Sequence, residues 1–145
     1  MSKAEVASKL FESYNCAQSV LAAYAEDFGL EKEKALQIAA GFGGGMGRLQ
    51  ETCGAVSGAI AVLGLSSGFR EADGRDKTNT VYAQVRRLVE DFTREHGTVK
   101  CKELLGCDLQ SEEGHKYFNE HNFRNSKCNE YIKLACRLLD RYLAE

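Results

Sequence analysis

No proline occurs in these 145 residues, and that absence narrows the fold more than any other single feature. Proline ends helices and marks turns and strand edges, and average usage of roughly 5% would supply about seven in a chain of this length. There is no Trp either, and 43% of the residues are hydrophobic, enough to enclose one core at a length that suits one domain. The expectation is an all-α fold: a single domain over residues 1–145, built as a helical bundle of about five to seven helices around a Gly-rich central helix, with negligible strand content.

Charge excludes one class of partner. The 19 Lys+Arg and 21 Asp+Glu leave a formal charge of -2, so no broad cationic field exists to hold nucleic acid. The opening stretch Met1–Leu10 alternates charge with small apolar residues and lacks the uninterrupted apolar run of a secretory signal. A cytoplasmic, reducing setting is expected.

Hydrophobic spacing divides the chain. Ser2 and Glu5 form a candidate capping box. Val6, Leu10, Tyr14, Ala17, Leu21, Tyr24 and Phe28 then recur at steps of three and four, an amphipathic helix closed by Gly29. A charged helix is predicted over Glu31 to Ala40. Next come five glycines in the seven residues Gly41 to Gly47, read as a loop of close approach. Thr52 to Phe69 carries no charge, but its apolar part, Ala55 to Leu65, is too short for a membrane span. It reads as a buried central helix, with Gly54 and Gly58 offering a smooth face to another helix or a cofactor. A long surface helix through Val81, Val85, Leu88 and Phe92 ends at Gly97. A short Cys101–Leu105 turn, a helix near Glu112 to His121 and a last helix carrying Tyr131, Ile132, Leu138 and Leu139 complete the chain.

Six cysteines, Cys16, Cys53, Cys101, Cys107, Cys128 and Cys136, are too few for a disulfide-built scaffold and contain no C-x-x-C pair. Any cluster must be assembled by the fold from distant positions. A helix N-terminus offers free N–H groups and partial positive charge that favour thiolate. Cys53 after Thr52, Cys101 after Thr98 and Cys128 after Asn125 and Ser126 fit that location. Cys16 joins them if Ser13 caps a fresh segment; a continuous first helix leaves it on a flank. Converging thiolates demand a cation or cluster to share their charge. Four sulfurs suit an iron–sulfur centre or tetrahedral zinc, with Gly43, Gly44, Gly45, Gly54 and Gly58 bringing backbone N–H groups near. Buried, inert cysteines are the plain alternative on spacing alone.

Other features point nowhere specific. The glycine run is followed by Arg48-Leu49 rather than the Lys-Ser/Thr of a P-loop. Arg48 is placed to pair with an anion or with thiolate charge, although a solvent-facing arginine is the ordinary expectation. His115 and His121 are six residues apart and do not share a helical face. Tyr117, Phe118 and Phe123 are read as packing residues.

Tyr14-Asn15-Cys16-Ala17-Gln18, the glycine run, Cys53-Gly54-Ala55-x-x-Gly58-Ala59, Cys101-Lys102-Glu103-Leu104-Leu105-Gly106 and Lys127-Cys128 together resemble the redox-active protein family named for its C_GCAxxG_C_C cysteine pattern. The resemblance implies a small bacterial protein, mainly from anaerobes, with Cys16, Cys53, Cys101 and Cys128 as its four family cysteines. Cys107 and Cys136 do not match the pattern. A similar domain occurs in split-Soret cytochromes, where it is associated with an iron–sulfur centre, but their haem-attachment motifs are absent from this chain.

The resemblance leaves three readings open. In the first, the four cysteines hold an iron–sulfur cluster, [2Fe–2S] favoured, for electron transfer or redox sensing with a redox partner protein. In the second, Cys53 is the nucleophile of a metal-free thiol–disulfide oxidoreductase. In the third, the cysteines hold a structural zinc in an interaction domain. Exposed Tyr and Leu positions on the last helix would allow a homodimer.

Overall fold

Ser2 caps the chain's first helix as its sequence dictates: its hydroxyl accepts from the Glu5 N–H, and the Glu5 carboxylate accepts from the Ser2 N–H at 3.0 Å. A computed structural model describes all residues, Met1–Glu145. Helix α1 (Lys3–Leu10) does not continue to Phe28. Asn15 starts a new helix, α2 (Cys16–Ala25), because its side chain accepts from the Gln18 N–H at 2.9 Å while Gln18 returns the bond to the Asn15 N–H at 3.0 Å. The cap is Asn15 rather than Ser13, and the break adds one helix to the expected set.

Helix α3 (Lys32–Ala39) follows, then the glycine segment. This segment is ordered in an uncommon way: Gly44, Gly45, Met46, Gly47 and Arg48 all have φ between 60° and 69°. The run forms one turn of left-handed backbone, a conformation that costs an L side chain about 1–2 kcal/mol per residue. Glycine removes that cost at Gly44 and Gly45, and Met46 and Arg48 carry it.

The uncharged segment becomes α4 (Gly54–Ser67), whose buried residues include Ala55, Val56, Ala59, Val62 and Leu63. It packs on α2, on α5 (Arg75–His96) and on the last helix, α8 (Asn129–Leu143), which also covers α1. Between α5 and α8 lie α6 (Cys101–Leu105) and α7 (Glu112–Glu120). Helix α5 is the expected surface helix: only Leu88 and Phe92 are buried, and Gly97 ends it with φ 85°. No helix is long and apolar enough to cross a membrane.

Strand pairing is confined to one isolated antiparallel bridge, Thr52 with Lys100. Three backbone bonds close it, Cys53 N to Val99 O and Cys101 N to Glu51 O at 2.7 Å each, and Lys102 N to Gln50 O at 3.2 Å. This short seam brings the start of α4 against the start of α6.

Candidate functional site

Each of the four expected cysteines enters one cavity from a different segment. Cys16 is the first residue of α2, Cys53 the N-cap of α4, Cys101 the first residue of α6. Cys128 differs from expectation. It does not open a helix but ends a π-helical turn, Arg124–Cys128, that runs directly into α8, so its local N–H groups are not free. Such turns re-aim side chains within a helix and recur at functional sites.

The cavity has a volume of about 430 Å³ and is lined by all four sulfur-bearing residues together with the glycine turn, Arg48, Arg124, His115 and Tyr131. Cys53 and Cys101 form its inner part, with 5% and 7% exposure, while Cys16 and Cys128 are half-buried. All six cysteines are free thiols. No three Cys, His, Asp or Glu side chains stand as a ready group around a single metal ion.

Protonation separates the four. Burial pushes Cys53 up to about 12 even though the Ala55 N–H at the start of α4 pulls the other way. Burial likewise pushes Cys101 up to about 11, with the nearby charge of Cys128 adding to it and the Gln50 amide opposing it. Cys16 and Cys128 share a hydrogen bond that holds Cys128 below the ordinary thiol value and lifts Cys16 well above it; Arg124 and Lys127 favour the Cys128 thiolate further. Thiolate character therefore falls on Cys128 and not on Cys53. The signal was present in the sequence as basic residues one and four positions before Cys128, and spacing to predicted helix starts passed over it.

Two supporting residues were also missed. Gln50 is buried, with φ 59°. Its amide N–H group donates to the Cys107 carbonyl at 2.9 Å and faces the Cys101 sulfur at 4.0 Å, and its amide oxygen accepts from the Leu109 N–H at 2.8 Å. Arg124 lies over the Phe11 ring at 3.9 Å and donates to the carbonyls of Phe11 and Tyr14. It thereby ties the turn bearing Cys128 to the break that presents Cys16.

The glycine expectations divide. Gly43, Gly44, Gly45 and Gly54 line the cavity. A Cβ on Gly45 would lie 2.8 Å from the Cys101 Cβ, and one on Gly54 would lie 2.9 Å from the Cys16 Cβ. Gly58 lies outside the cavity. Its open face is filled by α2, since a Cβ there would meet the Ala17 carbonyl oxygen at 2.8 Å, so the smooth face serves helix packing at that position.

Cys107 is half-buried beside Cys101 and Cys128 without lining the cavity, and Cys136 is fully buried on α8 next to Tyr24 and Asp140. Of the histidines only His115 reaches the cavity; His121 stacks on Tyr117 at 3.9 Å, and His96 meets Tyr131 edge to face at 4.8 Å. Phe118 and Phe123 pack against the core as expected, whereas Tyr117 is exposed and meets only the edge of Phe123 and the face of His121.

Residues 14–142 match the family model described as "Putative redox-active protein (C_GCAxxG_C_C)". The chain belongs to this family. No curated protein and no solved structure matches it. Of the six cysteines of this C_GCAxxG_C_C protein, Cys16, Cys53, Cys101 and Cys128 line the cavity.

Proposed function

We propose that Cys16, Cys53, Cys101 and Cys128 together ligate an iron–sulfur cluster, a [2Fe–2S] centre in preference to others, and that the protein serves electron transfer or redox sensing. The observation that carries this reading is the meeting of these four side chains in one cavity of about 430 Å³. Four sulfur donors are the soft ligand set such a centre uses. Without a positive centre, four thiolates sharing a largely buried space would repel strongly. A structural zinc held by the same four sulfurs is the competing metal reading, and metal analysis distinguishes the two.

When bound, such a cluster takes up and releases single electrons. The protein's own residues would hold and shield it. The left-handed glycine turn leaves room against Cys101, Leu104 and Tyr131 wall off water, and Arg124 sets a positive charge near Cys128. A redox partner protein in a bacterial cytoplasm belongs to the same proposal; the homodimer expected through α8 loses its basis, because Tyr131, Leu138 and Leu139 are buried, Tyr142 is bonded to Asp91, and Leu143 alone of the large apolar residues there is exposed.

Iron and acid-labile sulfide analysis on anaerobically prepared protein tests it. The expected result is both elements in comparable amounts with broad visible absorption, reduced by Cys→Ser changes at any of the four positions. Protein that stays colourless after reconstitution under reducing conditions would overturn it.

One observation favours a second reading. The hydrogen-bonded Cys16–Cys128 pair is the arrangement of a metal-free thiol–disulfide exchange site, with Cys128 attacking and Cys16 resolving. Reversible two-electron oxidation that links these two residues, in protein free of iron, would support it.

A further inference from the structure

We propose that the cysteine-bearing cavity also binds a small organic anion, a carboxylate on a short apolar body, with Arg48 as its countercharge and His115 at its entrance. The proposal rests on the reading of this cavity as the functional site, and not on which group the cysteines carry.

Apart from the cysteines, the charge on the cavity lining comes from arginines, which suits an anion at the end away from the sulfurs. The chain carries 21 acidic residues, yet no Asp or Glu lines the cavity, whereas Arg48, Arg124 and His115 all do. Arg124 is committed to the carbonyls of Phe11 and Tyr14. Arg48 is different. Its backbone carbonyl accepts from the Gln110 amide at 3.2 Å, while its guanidinium makes no hydrogen bond or ion pair within the protein. The backbone holds Arg48 at φ 63°, a conformation disfavoured for its side chain and maintained by the surrounding turn. The His115 imidazole makes no hydrogen bond either, and it stands with Arg48 where the cavity meets an outer hollow lined also by Lys116, Glu112 and Glu120.

The apolar walls point to a body on that anion. Leu105, Leu109 and Phe118 line the same cavity, and bare inorganic anions gain nothing from such surfaces. The whole cavity lies within the volume range of small-molecule sites, and the anion would take only the end that Arg48, Leu109 and His115 share with the outer hollow. A carboxylate can accept two parallel N–H bonds from a guanidinium, a geometry that lysine does not reproduce but whose charge it keeps.

Calorimetric titration of the full chain with benzoate, neutral benzamide and sulfate tests the proposal. The expected result is saturable benzoate binding that benzamide and sulfate do not match, weakened about tenfold by Arg48→Gln and by less in Arg48→Lys, which keeps the charge without the paired N–H geometry. His115→Gln provides a second variant, expected to weaken benzoate less than Arg48→Gln. Equal binding of benzoate and benzamide, sulfate binding as tight as benzoate, an unchanged affinity in Arg48→Gln, or no saturable heat would each overturn it. Protein that contains iron and sulfide but ignores benzoate refutes this inference alone. Colourless protein that binds benzoate refutes the cluster alone.

Discussion

Cys53 and Cys101 are held together by main chain: the Cys53 N–H donates to the Val99 carbonyl and the Cys101 N–H to the Glu51 carbonyl, each at 2.7 Å. Their placement does not depend on side-chain bonding between them. Replacing either cysteine by Ser is expected to leave the helical content unchanged while removing a sulfur from the cavity, which circular dichroism and thiol counting can check together.

Thiol reactivity should rank the cysteines of metal-free, reduced protein. Because Cys128 lies below the ordinary value of 9.0 while Cys53 and Cys101 are pushed to about 12 and about 11, Cys128 is the first of the four to be alkylated by iodoacetamide near neutral pH. Peptide mapping after brief labelling reads the order. Cys53 labelling ahead of Cys128 would contradict the geometry.

Two glycines of α4 should respond oppositely to alanine. At Gly64 nothing lies within 4 Å of an added Cβ, so Gly64→Ala should stabilise by up to about 1 kcal/mol through helix propensity. At Gly58 the same gain meets the Ala17 carbonyl at 2.8 Å, and main chain cannot step aside as a flexible side chain can. Gly58→Ala should therefore destabilise by about 1–3 kcal/mol. Urea unfolding of both variants measures the contrast.

Gln50→Leu keeps the approximate volume but removes the partners of the Cys107 carbonyl and the Leu109 N–H. Leaving these groups unpaired should cost about 2–4 kcal/mol, again by urea unfolding, and should speed labelling of Cys101 by loosening the loop that covers it.

Asp91 should make stability depend on acid. The Tyr142 hydroxyl bonded to its carboxylate at 2.6 Å, with Arg94 at 2.9 Å, holds it below the ordinary 3.8. The stabilisation is fully present above the unfolded-state value and is lost as pH falls through the lower folded-state value. Wild type should therefore melt higher than Asp91→Asn at neutral pH, and the two curves should converge in strong acid.

Helix content, the buried uncharged helix and the identity of the four cysteines were legible because they depend on local periodicity and on a motif spread over the chain. The break at Asn15 was partly legible. Asn15 and Gln18 spell a capping box, but the apolar positions on either side continue at helical spacing and mask it. The Thr52–Lys100 seam was not legible, since two residues of pairing leave no alternation to detect. Nor was the π turn before Cys128, where one extra residue rotates everything after it. Thiolate at Cys53, expected from its place at a helix start, is opposed by burial, since loss of water outweighs the pull of the Ala55 and Val56 N–H groups.

The four sulfurs also sit far apart along the polypeptide, at positions 16, 53, 101 and 128. A group joining them would fasten the ends of three long loops at once and strip the unfolded chain of much of its freedom. Occupancy should thus act as a tertiary rivet: filled molecules would resist proteases and heat in ways that empty ones do not, and in the cell the supply of the bridging group would govern how long each copy survives.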